Sequence, residues 1–456
     1  MTPFMQLLLV MALLIGGAKL AAIFSLRLGR PTLFGALIFG LLLGPSLLDI
    51  FGRGWFEPEV TQTVVSTMAS LGALFIMAQL GLLCDWEVLR SPNRTVLLVG
   101  VFSTLIPLLL GILITRLYSV STTNAIWIGV VLAATSINVI SQMLQAYGKF
   151  EGTVGTTILG AATVGSILSV ILFTLCMALL PAESIGLAAR TFVQLLVFLV
   201  GITLLGIWLL PRLFARAERL PIAYPTPTIA LIVLLLLAWS SEQIGLMSAA
   251  SGAFLAGLLF RHIDQRALIA DGLELLSITV FVPLFYISIG LSVNLRQLLV
   301  GDFLGIAVLL CVLAVVSGVV GAGLGAWLGK MPRRDALRVG AGMVSRGELS
   351  IIAAMGITQS QMDELPHLLA ATTLMVLLSL LVGPRLMRWA FQEKPQYDWQ
   401  PAQPSGDTAD QASAEAAALE EPLPEEEELS TTSHEFWKRR KPDTQPLPQL
   451  DDEQQP

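Results

Sequence analysis

Residues 336–356 read ALRVGAGMVSRGELSIIAAMG, an apolar segment of about membrane-crossing length with Ser345-Arg346-Gly347-Glu348 in its middle. Charges at such depth are expensive against lipid, so they face protein, water or a partner charge. Two residues apart, Arg346 and Glu348 would point to different faces of an unbroken helix; a broken helix relaxes that restriction. Backbone leaves the helix at membrane depth only where protein or a wet cavity satisfies the freed amides and carbonyls. Residues 130–148, VVLAATSINVISQMLQAYG, carry a second polar run at mid-segment, Thr135-Ser136-Ile137-Asn138. Ordinary interhelical hydrogen bonding would explain that run alone. The two runs, however, fall in the fifth and twelfth apolar segments, seven apart, and this predicts paired broken helices whose facing dipole ends build an ion site.

Working outward, the chain between Phe4 and Phe391 divides into about thirteen apolar segments near twenty residues each, the length that crosses a hydrocarbon core about 30 Å thick. The predicted spans are approximately 4–24, 31–50, 64–84, 96–116, 124–147, 153–180, 191–211, 226–243, 246–261, 275–294, 303–328, 337–358 and 365–391. The composition, 55% hydrophobic and 13% charged, excludes a soluble domain, in which about 25% of residues are charged. The expected fold class is an all-α polytopic membrane protein. The first segment lacks the basic leader and small-residue cleavage site of a secretory signal and is expected to be retained. A tight turn at Glu242 to Gly245 is the boundary on which the downstream topology depends.

With the N-terminus outside, the inner loops receive fourteen basic residues, among them Arg90, Arg94, Arg261, Lys330, Arg333 and Arg334. The outer loops receive Arg53, Arg116, Arg190 and Arg296. That asymmetry places the C-terminus in the cytoplasm of a cell (inner) membrane protein. The membrane domain is assigned to 1–394. From 395 to 456 the composition turns to Pro, Gln, Ala, Glu and Ser, with 15 acidic and 4 basic residues. Such a segment cannot bury enough apolar surface to offset its ordering entropy, and is expected to be a disordered acidic cytoplasmic tail with Lys438-Arg439-Arg440-Lys441 solvated.

Other chemistry is scarce. Cys84, Cys176 and Cys311 have no CxxC spacing and suit packing rather than disulfides or zinc. No GxxxxGK[ST] or HExxH occurs, and His262, His367 and His434 lie away from any membrane nucleophile, so no enzyme, cofactor, metal centre or nucleic-acid partner is expected. Lys19 sits near the inner end of its span, where snorkelling to the interface is expected, and Glu242 at an outer helix end. Gly155, Gly160 and Gly165 suit close helix packing.

Six phrases in order then carry a resemblance: LGRPTLFGALIFGLLLGPSLL, AATSINVISQML, EGTVGTTILGAATVGSILSVIL, GLMSAASGAFLAGLLF, FVPLFYISIGLSVNL and ALRVGAGMVSRGELSIIAA. From about Leu8 to Leu386 the chain resembles the cation:proton antiporter superfamily, on the branch of bacterial sodium/proton exchangers and potassium-efflux systems. The resemblance implies thirteen helices in inverted repeats with two crossing broken helices, a homodimer, and antiport of Na+ or K+ against protons by alternating access. Some potassium-efflux relatives append a nucleotide-binding domain, for which the tail here is too short and too poor in apolar strands.

The departures from the family concern its charges. Where members carry an Asp pair in the sixth span, this chain has Gly165-Ser166, and where many carry a Lys in the eleventh it has Gly318. The acid of the third span falls on Leu83, with Asp85 nearer the interface, and an early G-E-I pattern reads Gly35-Ala36-Leu37. Losing one partner of a buried pair strands a charge; losing both is tolerated. A serine hydroxyl does not titrate near pH 7, so it cannot supply the proton half of an exchange. If exchange persists, Glu348 is the first candidate for the proton-linked group, with Arg346 and Glu242 as further charges on the pathway and Ser166, Thr135, Ser136 and Asn138 as oxygen ligands. Lacking a carboxylate cluster, the site suits a monovalent rather than a divalent cation. Two alternatives are a transporter-derived membrane protein without exchange, acting as sensor or partner subunit, and a carrier of another small solute on the same fold.

Overall fold

The computed structural model describes residues 2–53, 58–84, 93–118, 120–149, 152–180, 184–217, 223–299, 303–359 and 367–392. The expectations for the tail 395–456, Asp85 and His434 lie outside them. Every regular element described is helical. In order these are α1 (Pro3–Arg27), α2 (Thr32–Leu43), α3 (Pro58–Leu83), α4 (Arg94–Leu117), α5 (Thr122–Ala133), α6 (Ile137–Ala146), α7 (Thr153–Leu179), α8 (Ile185–Ala217), α9 (Pro225–Gln243) and α10 (Ala249–Phe260). They continue with α11 (Arg266–Leu276), a π-turn (Ser277–Phe281), α12 (Val282–Ser292), a 3₁₀ turn (Leu295–Leu299), α13 (Phe303–Leu328), α14 (Arg333–Gly342), α15 (Glu348–Gln359) and α16 (Leu368–Phe391).

Among the described residues ten helical segments are long and apolar enough to cross a membrane, counting α5–α6 and α11–α12 as one each. Three more apolar helices, Thr32–Leu43, Ala249–Phe260 and Glu348–Ile357, are shorter. Twelve residues rise only about 18 Å, so the predicted second span, 31–50, is a short helix followed by turns. The tenth, predicted at 275–294, begins instead at Arg266, because the π-turn continues the helix. The turn after Gln243 does separate α9 from α10.

Helix pairings repeat when each segment is advanced by seven: α1 on α2 recurs as α9 on α10, α2 on α12 as α10 on α3, α4 on α5 as α13 on α14, and α4 on α7 as α13 on α16. Glycines mark the related contacts. A Cβ on Gly40 of α2 would overlap the Ile287 carbonyl of α12, and one on Gly257 of α10 would overlap the Ala78 carbonyl of α3. In both places only a hydrogen lets the backbones approach so closely. The same pairings sort the helices into one group of α1–α3 and α9–α12 and a second of α4–α7 and α13–α16, with α8 packed against α7, α9 and α10.

Lys19 of α1 is exposed, and its Nζ donates to the Ile278 carbonyl at 2.8 Å, inside the π-turn, where the i→i+5 pattern departs from the ordinary helical ladder. The lysine of α1 therefore ties its helix to a local irregularity of the α11–α12 segment.

Candidate functional site

The two polar runs break their helices and face each other. α5 ends as Ala134 turns to an extended conformation (φ −67°, ψ 119°). Ser136 then caps α6, its Oγ accepting from the Val139 amide at 3.3 Å. On the other segment, residues 343–347 separate α14 from α15, and Glu348 occupies the first turn of α15. Thr135, Ser136, Ser345, Arg346 and Glu348 are all at most 1% exposed.

The Glu348 carboxylate is held by neutral donors. Ser136 Oγ donates to Oε2 at 2.7 Å and Asn138 Nδ2 to Oε1 at 3.1 Å. Tyr286 Oη, from α12 in the other helix group, reaches Oε2 at 3.4 Å. The acid thus sits at the N-terminal ends of both α15 and α6, where helix dipoles favour negative charge. Arg346 lies at the opposite kind of terminus. Its Nη1 donates to Thr135 Oγ1 at 3.1 Å and to the Ala134 and Ala133 carbonyls at 3.3 and 3.5 Å, the C-terminal end of α5. Its own amide donates to Ser379 Oγ at 3.1 Å. No ion pair within 4.0 Å joins Arg346 to Glu348; the two charges belong to different helix ends.

Those α5 carbonyls, orphaned by the break, are covered from several sides. Ser169 Oγ donates to Ala133 O at 3.1 Å, Ser350 Oγ to Ala134 O at 3.2 Å and Ser166 Oγ to Thr135 O at 3.3 Å. The guanidinium keeps Nε and Nη2 without a protein partner, and Nη2 lies 3.5 Å from the position a Cβ on Gly318 would take. A Cβ on Gly165 would face Thr104 Oγ1 at 3.3 Å and Ser103 Oγ at 3.5 Å.

The structure therefore brings together Glu348, Ser136 and Asn138 in one cluster and Arg346, Thr135 and Ser166 in an adjoining one. Glu242 joins neither: it is exposed in the last turn of α9. Gly35 is a packing position, since its Cβ would overlap the Ala21 carbonyl, and Leu83 is half exposed at the end of α3. Sequence reasoning missed Tyr286, Ser169, Ser350 and Ser379. Tyr286 had a visible signal, the one tyrosine inside FVPLFYISIGL; the serines had none. Among the described residues no three His, Cys, Asp or Glu converge on a metal position. The oxygens at the crossing suit a singly charged guest.

Two discontinuous helices, related by a seven-segment repeat and meeting at buried charges, define a secondary-transporter fold. The chain belongs to the sodium/hydrogen exchanger family: the family profile, described as sodium/hydrogen exchanger, transmembrane, matches residues 10–392. Relatives include the Na(+)/H(+)-K(+) antiporter GerN of Bacillus cereus, 29% identical over 84% of this chain and 96% of its own length. The Na(+)/H(+) antiporter of Enterococcus hirae is likewise 29% identical, over 84% and 98%. The solved sodium proton antiporter MjNhaP1 of Methanocaldococcus jannaschii shares the fold at TM-score 0.64 and 18% identity, covering 86% of this chain and 99% of that one.

Proposed function

We propose that this chain exchanges Na+ or K+ for protons, with Glu348 as the carboxylate for which proton and cation compete. The observation that carries the reading is a buried acid with no cationic partner among the described residues, held by Ser136, Asn138 and a tyrosine of the other helix group. A carboxylate so placed takes a proton or a dehydrated cation, and the hydroxyl and amide oxygens beside it complete a small oxygen shell. Because Tyr286 belongs to the α1–α3 and α9–α12 group, relative movement of the two groups would open the site to alternate sides. The names of the Bacillus and Enterococcus relatives support the same chemistry. Thirteen crossings, a homodimer, an inner-membrane location and a cytoplasmic acidic tail complete the proposal; the basic residues of the loops support its orientation.

A second reading has its own observation. The guanidinium of Arg346 lies on the carbonyls of α5, where a fixed cation stands in for a mobile one, and Gly165 and Ser166 offer no titratable group. A family member with that arrangement could keep the fold without exchange. Proton flux in proteoliposomes with an imposed pH gradient and added Na+, K+ or Li+ separates the two. Cation-dependent flux that Glu348→Gln abolishes supports the first. No flux from folded, inserted protein supports the second, and flux unchanged in Glu348→Gln removes the site assignment.

A further inference from the structure

A groove of about 240 Å³ lies between the C-terminal half of α13 and the start of α14. Val320, Leu324 and Leu337 line it, with Trp327 and Arg333 toward the turn that joins the two helices. Its depth comes from Gly323, where an added Cβ would meet only the Ala336 carbonyl, at 3.5 Å. The volume falls below the roughly 300–1,000 Å³ of small-molecule pockets, and the lining is apolar except at one end. That shape suits a length of hydrocarbon chain whose polar head emerges beside Arg333.

The charge at that end is uncommitted. Arg338 is paired with Asp335 at 3.0 Å and lies over the Phe391 ring. By contrast Lys330, Arg333 and Arg334 have no partner among the described residues. These three follow directly on the apolar run that ends at Leu328, so they stand where hydrocarbon gives way to headgroups, and the half-exposed Trp327 is of the type that settles at this boundary. The guanidinium fork matches a phosphate diester. Asp335, the acid of the first turn of α14, is already taken by Arg338.

We infer that this groove is a binding site for one anionic phospholipid, an acyl chain lying over Gly323 and the phosphate on Arg333, with Lys330 and Arg334 beside it. The site abuts α14, the half-helix that leads into Arg346 and Glu348, so its occupant would bear on the packing of the broken segment.

The test is native mass spectrometry of the full-length protein in detergent, titrated with phosphatidylglycerol or with phosphatidylcholine of the same chains. Wild type is expected to retain phosphatidylglycerol preferentially. Arg333→Gln is expected to weaken that retention about fivefold, as loss of one basic group at a membrane surface does. Gly323→Leu fills the groove and is expected to weaken binding of both lipids while leaving the three basic residues in place. Equal retention of the two lipids by wild type would overturn the proposal, as would undiminished phosphatidylglycerol binding by Gly323→Leu, which would mean that surface charge alone attracts the lipid. Arg333→Gln changes an exposed side chain, so it keeps the proposal testable should Gly323→Leu fail to fold.

Discussion

Gly318→Lys places a second cation beside the Arg346 guanidinium. Its Cβ would lie 3.2 Å from Val344 Cα, 3.3 Å from the Met343 carbonyl and 3.5 Å from Arg346 Nη2, so the new side chain enters against a charge rather than open space. Two unit charges about 4 Å apart repel by about 4 kcal/mol at an effective dielectric of about 20. The lysine can escape by shedding its proton, which from a reference value near 10.4 costs about 4.6 kcal/mol at pH 7, at about 1.36 kcal/mol per pH unit. By either route the substitution should destabilise by about 4–5 kcal/mol. Gly318→Ala, which tests the steric squeeze alone, should cost about 1–3 kcal/mol. Gly165→Asp is easier, because Thr104 and Ser103, which now donate to the Gly100 carbonyl at 3.0 and 2.9 Å, can turn toward it. Introduced together, the Asp and Lys place opposite charges at two of the positions that the family resemblance implies are charged, and a double-mutant cycle should show a favourable coupling of about 2–4 kcal/mol. The assay is equilibrium unfolding in mixed micelles on protein that is monodisperse by gel filtration. Additivity within about 0.5 kcal/mol, or Gly318→Lys no worse than Gly318→Ala, would refute both the register and the claim that Arg346 dominates the field at Gly318.

Two further substitutions probe the frame of the crossing. Arg346→Met should change stability by less than about 2 kcal/mol, because Ser169 and Ser350 still cover the Ala133 and Ala134 carbonyls and two of the lost guanidinium nitrogens had no partner; a loss above about 4 kcal/mol in the same micelle assay would show that the guanidinium itself holds the break together. Gly257→Ala drives a methyl into the Ala78 carbonyl and should cost about 3 kcal/mol or more, since neither backbone can yield without moving a helix; wild-type unfolding would mean that α3 and α10 are not so closely packed.

The spans and both helix breaks were legible because they rest on local signals: runs of apolar residues about twenty long, and polar residues where lipid would reject them. Short helices were harder to read. Residues 31–50 kept their hydropathy through turns that end α2 at Leu43, and hydropathy does not distinguish an apolar helix from an apolar turn packed against its neighbours. The acceptor of Lys19, the Ile278 carbonyl, was not legible, because it depends on a π-turn 259 residues away and nothing in a sequence window announces such a turn. Ser136 and Asn138 were legible beside Glu348 although they lie 212 and 210 residues from it, because they occupy the other polar break. Tyr286, 62 residues away, was not, since a single polar residue in an apolar helix is too common to be singled out until a fold brings it to the site.

What the sequence presented as a loss, the Asp pair and the Lys that the family resemblance implies and that fall on Gly165-Ser166 and Gly318, the structure presents as a different arrangement of charge. A helix broken inside a protein leaves carbonyls at one end and amides at the other, and each end favours the opposite charge. Four consecutive residues, Ser345 to Glu348, deliver both. Arg346 reaches the carbonyl end of α5, and Glu348 sits at the amide ends of α6 and α15. The two charges serve different helix ends rather than each other, so under the proposed role of Glu348 a proton or a cation would come and go without displacing the guanidinium or breaking a salt bridge, and the proposed exchange has a physical route here without the Asp pair that the resemblance implies.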